Sequence, residues 1–360
     1  TIKKLAFAMA PNGLVNSGNS CFLNAVLQLL AADKSFVGIL AKLDRKVRLP
    51  IRKLPAQEAR RTDLKRAIFY ELLDVLKKLV CEKTELNGEA PITPKVLLSR
   101  LVRMLPEWKP HRQQDAHECF LQLLNVVHEM LMAPVKSMKS GETYGESLVN
   151  DLFGGKYRNA TTCQECFLTV ETRELFLDIS LPLPRRTSVI MGEKKRKNVG
   201  SSWWDWLGFN SANDDGISLP NVGVEYGRKC TEATFKCDNY DISLNSCFGL
   251  MFAQEILPSS LMYFCENCKK SVSVARQHNV EELPELLLLH MKRFEYKPGR
   301  QHSKKLAVGN NNKLTARIEF PLDGLQVPGD PSGSKYCLVG VIEHRGHSWQ
   351  SGHYVAFVRG

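Results

Sequence analysis

The chain has 360 residues, 43% hydrophobic and 24% charged, with a formal net charge of +11. This length buries a large core as one large domain or two average ones, and the composition is that of an ordinary soluble globular protein rather than a disordered one. No apolar run approaches the roughly 20 residues of a transmembrane helix, so a membrane partner is not expected. The 11 cysteines are an odd number in a chain without a secretory signal. They fit metal-bound and free thiols in a reducing, intracellular setting, cytoplasmic or nuclear, better than a disulfide framework.

At the start, Lys3 to Ala10 faintly imitates a signal peptide, but its apolar part is too short and no methionine precedes it. It reads as the cut end of a longer protein. Next comes Gly13-Leu14-Val15-Asn16-Ser17-Gly18-Asn19-Ser20-Cys21-Phe22-Leu23-Asn24. A glycine-punctuated, asparagine-bearing turn here runs into an apolar segment that reads as a helix. A thiol at a helix N-terminus sits beside unpaired N–H groups and the positive end of the dipole, and both favour the nucleophilic thiolate. Asn16 and Asn19 add amide donors near Cys21, so nucleophile and oxyanion stabiliser fall within a few residues. For the cysteine alone, a buried thiol after a turn would be the plainer reading.

From Asn19 to about Val135 the chain reads as helical. Leu64, Ala67, Ile68, Leu72, Val75, Leu76 and Leu79 line one face of a helix over Asp63 to Val80. Thr93 and Pro94 read as N-cap and first turn of a helix reaching Leu105. Asp115 to Met132 is a further helix, with Phe120, Leu124, Val127 and Leu131 as its core face.

Beyond Asp151 short strand-like runs dominate, clearest at Leu175 to Leu183, Leu286 to Phe294, Tyr336 to Ile342 and Tyr354 to Val358. Helices first and strands second make an α+β fold. Cys163 with Cys166 and Cys265 with Cys268 form two C-x-x-C pairs, the spacing of a closed four-thiolate zinc site. The stretch from about Arg185 to Cys247 reads as an insertion, at least partly loop. It holds the basic run Lys194 to Lys197 and the cluster Trp203, Trp204 and Trp206. The run suits a nuclear signal or a solvated loop, and the cluster a docking site or a local plug.

Near the end, His353 lies between Gly352 and a strand-like run, where glycine permits close approach of another segment. A cysteine with a distant histidine is the sequence form of a Cys/His hydrolase. His344 and His347 add no independent signal.

The segments around Cys21 and His353 resemble the cysteine and histidine boxes of the ubiquitin-specific proteases. Gln113-Gln114-Asp115-Ala116-His117-Glu118-Cys119-Phe120-Leu121 resembles the box between them. Leu175 to Pro182, Leu283 to Phe294 and Phe320 to Asp323 resemble further family segments, in matching order and spacing. The resemblance implies a papain-like fold with a helical thumb at about 14–135, zinc-bearing fingers at about 151–183 and 245–285, and a strand-rich palm at about 286–360. It implies a deubiquitinase acting on ubiquitin and ubiquitinated proteins. Cys21 would be nucleophile, His353 general base and acid, and Asn16 an oxyanion donor. Asp115, Glu118 and Tyr354 would contact the ubiquitin tail, with structural zinc on Cys163, Cys166, Cys265 and Cys268. The family places an orienting Asp or Asn on the strand after the histidine. The chain stops at Gly360 before that strand, and reads as truncated there rather than as lacking the orienting residue, which is the alternative.

Two other functions remain open from sequence. One is a catalytically weak ubiquitin-binding module on the same fold. The other is a basic zinc-knuckle protein that binds nucleic acid or ribosomes, suggested by the charge of +11 but accompanied by no nucleic-acid-binding motif.

Overall fold

A computed structural model describes residues 13–47, 56–80, 91–109, 111–132, 148–184, 241–258, 263–296, 311–348 and 351–359. The described helices are α1 (Cys21–Ala32), α2 (Lys34–Val47), α3 (Ala56–Val80), α4 (Lys95–Met104), α5 (Ala116–Met132), α6 (Leu148–Phe153) and α7 (Leu244–Met251). The strands are β1 (Gly155–Cys163), β2 (Thr169–Phe176), β3 (Ile179–Leu181), β4 (Asp241–Ser243), β5 (Glu255–Leu257), β6 (Phe264–Cys265) and β7 (Lys270–Ser271). They continue with β8 (Val274–Glu282), β9 (Leu289–Met291), β10 (Phe294–Tyr296), β11 (Asn311–Lys313), β12 (Arg317–Glu319), β13 (Gly340–Ser348) and β14 (Ser351–Val358). This is the α+β mixture expected from the sequence.

The chain forms two compact units. The first comprises 1–152, 294–313 and 337–360, and the second 153–293 and 314–336. The C-terminal strands therefore join the helices, whereas the sequence reading placed them in a separate strand-rich region. The reason is α1, whose face of Phe22, Leu23, Val26, Leu27 and Leu30 is almost wholly buried. A helix apolar on so much of its surface needs cover on more than one side. It packs on α3 and α5, and also on β14 and β13.

In the first unit, α3 buries Ile68, Leu72, Val75, Leu76 and Leu79 of the expected stripe, together with Phe69 and Leu73, while Leu64 and Ala67 are only half-buried. It also begins earlier than expected, at Ala56. On α5, Phe120, Leu124 and Val127 are buried as expected, together with Cys119, Leu123, Val126 and Met130, while Leu131 is only half-buried. The cap expected at Thr93 is replaced. Pro94 occupies the N-cap of α4, and the Thr93 hydroxyl instead meets Ser17 Oγ at 3.2 Å. A tertiary contact has taken the side chain that local chemistry would have used on the helix.

In the second unit, β2, β1, β8 and β5 form an antiparallel sheet in that order. Beside it, β3 pairs with β9 and β4 with β12, both parallel. The run expected over Leu175 to Leu183 breaks into β2 and β3, and that over Leu286 to Phe294 into β9 and β10. Tyr336 makes only an isolated bridge with Leu325, and β13 starts at Gly340. Tyr157, Phe176, Ile179, Leu181, Phe248 and Val280 anchor this unit's core. Ile242, Leu244 and Cys247 are buried in it too, so the end of the expected insertion belongs to the fold. The basic run, the tryptophan cluster and Lys3 to Ala10 lie outside the described residues.

Candidate active site and metal centre

Cys21 is the first residue of α1 and is buried. The N-cap residue, Ser20, makes no side-chain cap. Its hydroxyl turns back into the loop, accepting from Ser17 N–H at 3.0 Å and donating to Asn16 Oδ1 at 3.0 Å. The first turn also carries no acidic residue. The positive end of α1 is thus left without a side-chain acceptor or counter-charge, and the Cys21 N–H has no acceptor among the described residues.

The loop before it is tied to both sides. Asn16 Oδ1 accepts from Gly18 N–H and Ser20 N–H, each at 3.2 Å, which leaves its Nδ2 as the unengaged end. Asn24 Nδ2 donates to Val15 O at 3.2 Å, and Asn19 Nδ2 to His111 O at 2.7 Å. Asn19 and Asn24 therefore hold the loop, and the Asn19 amide is spent on His111 O rather than offered to the Cys21 sulfur. Asn19 (φ 50°) and His111 (φ 61°) both adopt the left-handed conformation, which asparagine tolerates better than most residues.

His353 lies on β14 opposite Arg345 of β13 and is exposed. The Cys21 sulfur takes its hydrogen bond from Gln113 rather than from His353. Gln113 Nε2 is 3.0 Å from Cys21 Sγ and 3.0 Å from the carbonyl oxygen of Gly352. One side chain thus links the start of α1 to the residue before His353. Among the described residues, no carboxylate or amide side chain hydrogen-bonds His353.

Asp115 caps α5, with Oδ1 accepting from His117 N–H at 2.7 Å and Glu118 N–H at 3.4 Å. Glu118 Oε1 accepts from Trp108 Nε1 at 3.3 Å, and the Trp108 ring packs edge-on against Phe22. Burial raises the Tyr354 phenol well above its usual range, and the charge of Asp115 adds to this. Burial likewise raises the Cys119 thiol, with Glu118 and Asp115 adding to the effect. Cys119 is therefore an inert core thiol.

Behind Tyr354, the His344 ring lies 4.6 Å from the Tyr354 ring and 5.9 Å from Phe294. Lys313 Nζ is 3.2 Å from His344 Nδ1 and donates to Gly346 O at 2.9 Å. A lysine donor against Nδ1 selects the neutral ring protonated on Nε2. Burial, then Lys313, lowers the His344 pKa, while Asp115 opposes the shift.

In the second unit, Cys163, Cys166, Cys265 and Cys268 converge into a cluster that can hold a metal ion. Cys163 Sγ is 3.8 Å from Cys268 Sγ, and Cys166 Sγ is 3.7 Å from Cys265 Sγ. Glu165 N–H and Cys166 N–H point at Cys163 Sγ at 3.4 and 3.5 Å. A bond from Asn267 leads the causes that lower Cys166 to about 6. Phe167 and Lys269, each one residue past a pair, take the left-handed conformation that closes such turns.

Residues 12–360 match the family model described as "Ubiquitin carboxyl-terminal hydrolase". The chain belongs to the ubiquitin carboxyl-terminal hydrolase family. Ubiquitin carboxyl-terminal hydrolase 3 of Homo sapiens is 25% identical, over 97% of this chain and 62% of its own length. Ubiquitin carboxyl-terminal hydrolase 10 of Saccharomyces cerevisiae is 27% identical, over 97% and 42%. Ubiquitin carboxyl-terminal hydrolase 23 of Arabidopsis thaliana is 25% identical, over 99% and 32%. The chain thus spans about a third to three-fifths of these relatives. The fold is similar to that of a SAGA DUB module structure bound to ubiquitin aldehyde, with a TM-score of 0.60, 20% identity, and coverage of 99% of this chain and 64% of that one.

Within this member of the hydrolase family, the structure gathers Cys21, Asn16, Asp115, Glu118, His353 and Tyr354 in one compact unit, and the four thiols in the other. Sequence reasoning gave no role to Gln113, although it opens the box quoted for Asp115 and Glu118. Its partners are 92 and 239 residues away in the chain, beyond any local pattern. Lys313 was missed for the same reason.

Proposed function

We propose that this domain is a cysteine-type deubiquitinase, which hydrolyses the isopeptide bond after the C-terminal glycine of ubiquitin. The observation that carries the reading is Cys21 at an uncapped helix N-terminus, linked through one amide to the strand of His353, in a chain of this family. His353 takes the Cys21 thiol proton, and the thiolate adds to the glycine carbonyl carbon. The oxyanion is met by the Cys21 N–H at the helix terminus and by Asn16 Nδ2, whose amide is oriented by the bonds to Oδ1. Collapse breaks the C–N bond, and His353 returns the proton to the departing lysine amine. A water then attacks the thioester, giving its proton to His353 and releasing ubiquitin's carboxylate and the free thiol.

Asp115, Glu118 and Tyr354 contact the ubiquitin tail in this reading. Asp115 keeps one carboxylate oxygen outside its capping bonds, and a carboxylate suits a tail with arginines and extended N–H groups. The second reading, a weakly active ubiquitin-binding module, draws on the Cys21 bond to Gln113 in place of His353. Cleavage of a fluorogenic ubiquitin C-terminal amide separates the two. The enzyme reading expects turnover that Cys21→Ala abolishes, and binding without turnover would defeat it.

The bound ion proposed for the four thiols is zinc. Tetrahedral zinc with Zn–S bonds of about 2.3 Å sets its sulfurs about 3.8 Å apart, close to the 3.7 and 3.8 Å observed. It would hold the two turns together and take no part in catalysis. An intracellular location, cytoplasmic or nuclear, is proposed on thiol chemistry, since the described cysteines are free.

A further inference from the structure

Gln113 makes two contacts that constrain each other. An amide nitrogen carries two hydrogens, one for Cys21 Sγ and one for Gly352 O, both 3.0 Å away. Turning the amide over would set its oxygen against the Gly352 carbonyl, acceptor against acceptor, so the nitrogen's place is fixed. The sulfur must then accept, and an accepting sulfur is stabilised most as the thiolate.

The backbone around Gln113 is braced for this. Asn19 Nδ2 holds His111 O at 2.7 Å, which ties the cysteine loop to the Gln113 loop. Arg112 N–H donates to Lys109 O at 3.2 Å, and Gln114 Nε2 reaches Lys109 O and Arg112 O, each at 3.4 Å. Asp115 then caps α5 directly behind. Gln113 is therefore flanked on both sides by residues held in hydrogen bonds.

We propose that Gln113 is a positioning residue for the hydrolysis. Its nitrogen fixes the distance between the Cys21 sulfur and the backbone next to His353, and supplies the thiolate with an uncharged donor. The proposal rests on the deubiquitinase reading for its reaction, but the contact with sulfur needs no substrate.

The test uses Gln113→Glu, which keeps the shape but loses the donor, and Gln113→Ala, each with a melting temperature measured beside the parent. Two quantities are read. One is the rate of iodoacetamide alkylation at Cys21, followed on its own peptide by mass spectrometry at fixed neutral pH. The other is kcat and KM on a fluorogenic ubiquitin amide. We expect alkylation slowed several-fold in Gln113→Glu, and kcat lowered about tenfold or more in both variants with KM little changed. Unchanged alkylation together with kcat within about twofold of the parent would overturn the assignment. If the parent cleaves no ubiquitin substrate while alkylation still slows, the Gln113 contact with the Cys21 sulfur stands and the deubiquitinase reading falls.

Discussion

A Cβ on Gly352 would lie 2.4 Å from His344 Nε2. It would also meet Arg345 O at 2.5 Å, and backbone cannot yield as a flexible side chain does. Gly352 is thus the point where β14 presses against β13, one residue before His353. Gly352→Ala is expected to force the two strands apart, costing about 1–3 kcal/mol of stability. Its kcat should fall more than tenfold in a ubiquitin-amide assay, as expected when a reacting group shifts by about an ångström.

His344 makes the first unit sensitive to acid. Its pKa in the fold lies below the ordinary value because burial and Lys313 disfavour the imidazolium. As pH falls through the ordinary histidine range, the unfolded chain takes up this proton first. Stability therefore rises with pH through that range and is lost as pH falls towards the lowered value, with a slope of at most about 1.4 kcal/mol per pH unit. Urea unfolding at pH 5.5 and 7.5 should show a smaller difference in His344→Gln than in the parent.

Asp115 serves two ends that one substitution can separate. Asparagine caps a helix as well as aspartate does, but carries no charge. Asp115→Asn should leave the melting temperature near the parent's and weaken ubiquitin binding in calorimetry. Asp115→Ala should lose the cap as well, at about 1 kcal/mol. Equal affinity of the parent and Asp115→Asn would remove Asp115 from the tail-binding surface.

The thiol cluster should hold about one zinc per chain by elemental analysis. Cys265→Ser should lose the metal and lower the melting temperature, because Cys163, Cys265, Val272 and Val274 share one small buried cluster. A purified protein without zinc, or a metal-free one of undiminished stability, would contradict the assignment.

What the sequence disclosed follows the range of the forces involved. The face of α5 through Phe120, Leu124 and Val127 was legible because apolar periodicity is local. So was the pairing of Cys163 with Cys166 and of Cys265 with Cys268, since each pair closes one turn. The family resemblance carried the rest of the site, matching a cysteine near the start to a histidine near the end. Three kinds of feature escaped. Thr93 turned from its helix to Ser17, a tertiary contact overriding a local cap. Gln113 and Lys313 act on segments distant in the chain, and nothing adjacent in sequence marks them. The C-terminal strands joined the helices because α1 needed cover, a demand visible only once its buried faces are counted together.

The central claim is that Cys21 is the nucleophile for the ubiquitin C-terminus. It is tested most directly by incubating the protein with ubiquitin carrying a C-terminal electrophile and mapping the adduct by peptide mass spectrometry. The account expects one ubiquitin bonded to Cys21, with labelling lost in Cys21→Ala and retained in Cys119→Ala. Labelling of Cys21→Ala equal to that of the parent would contradict it.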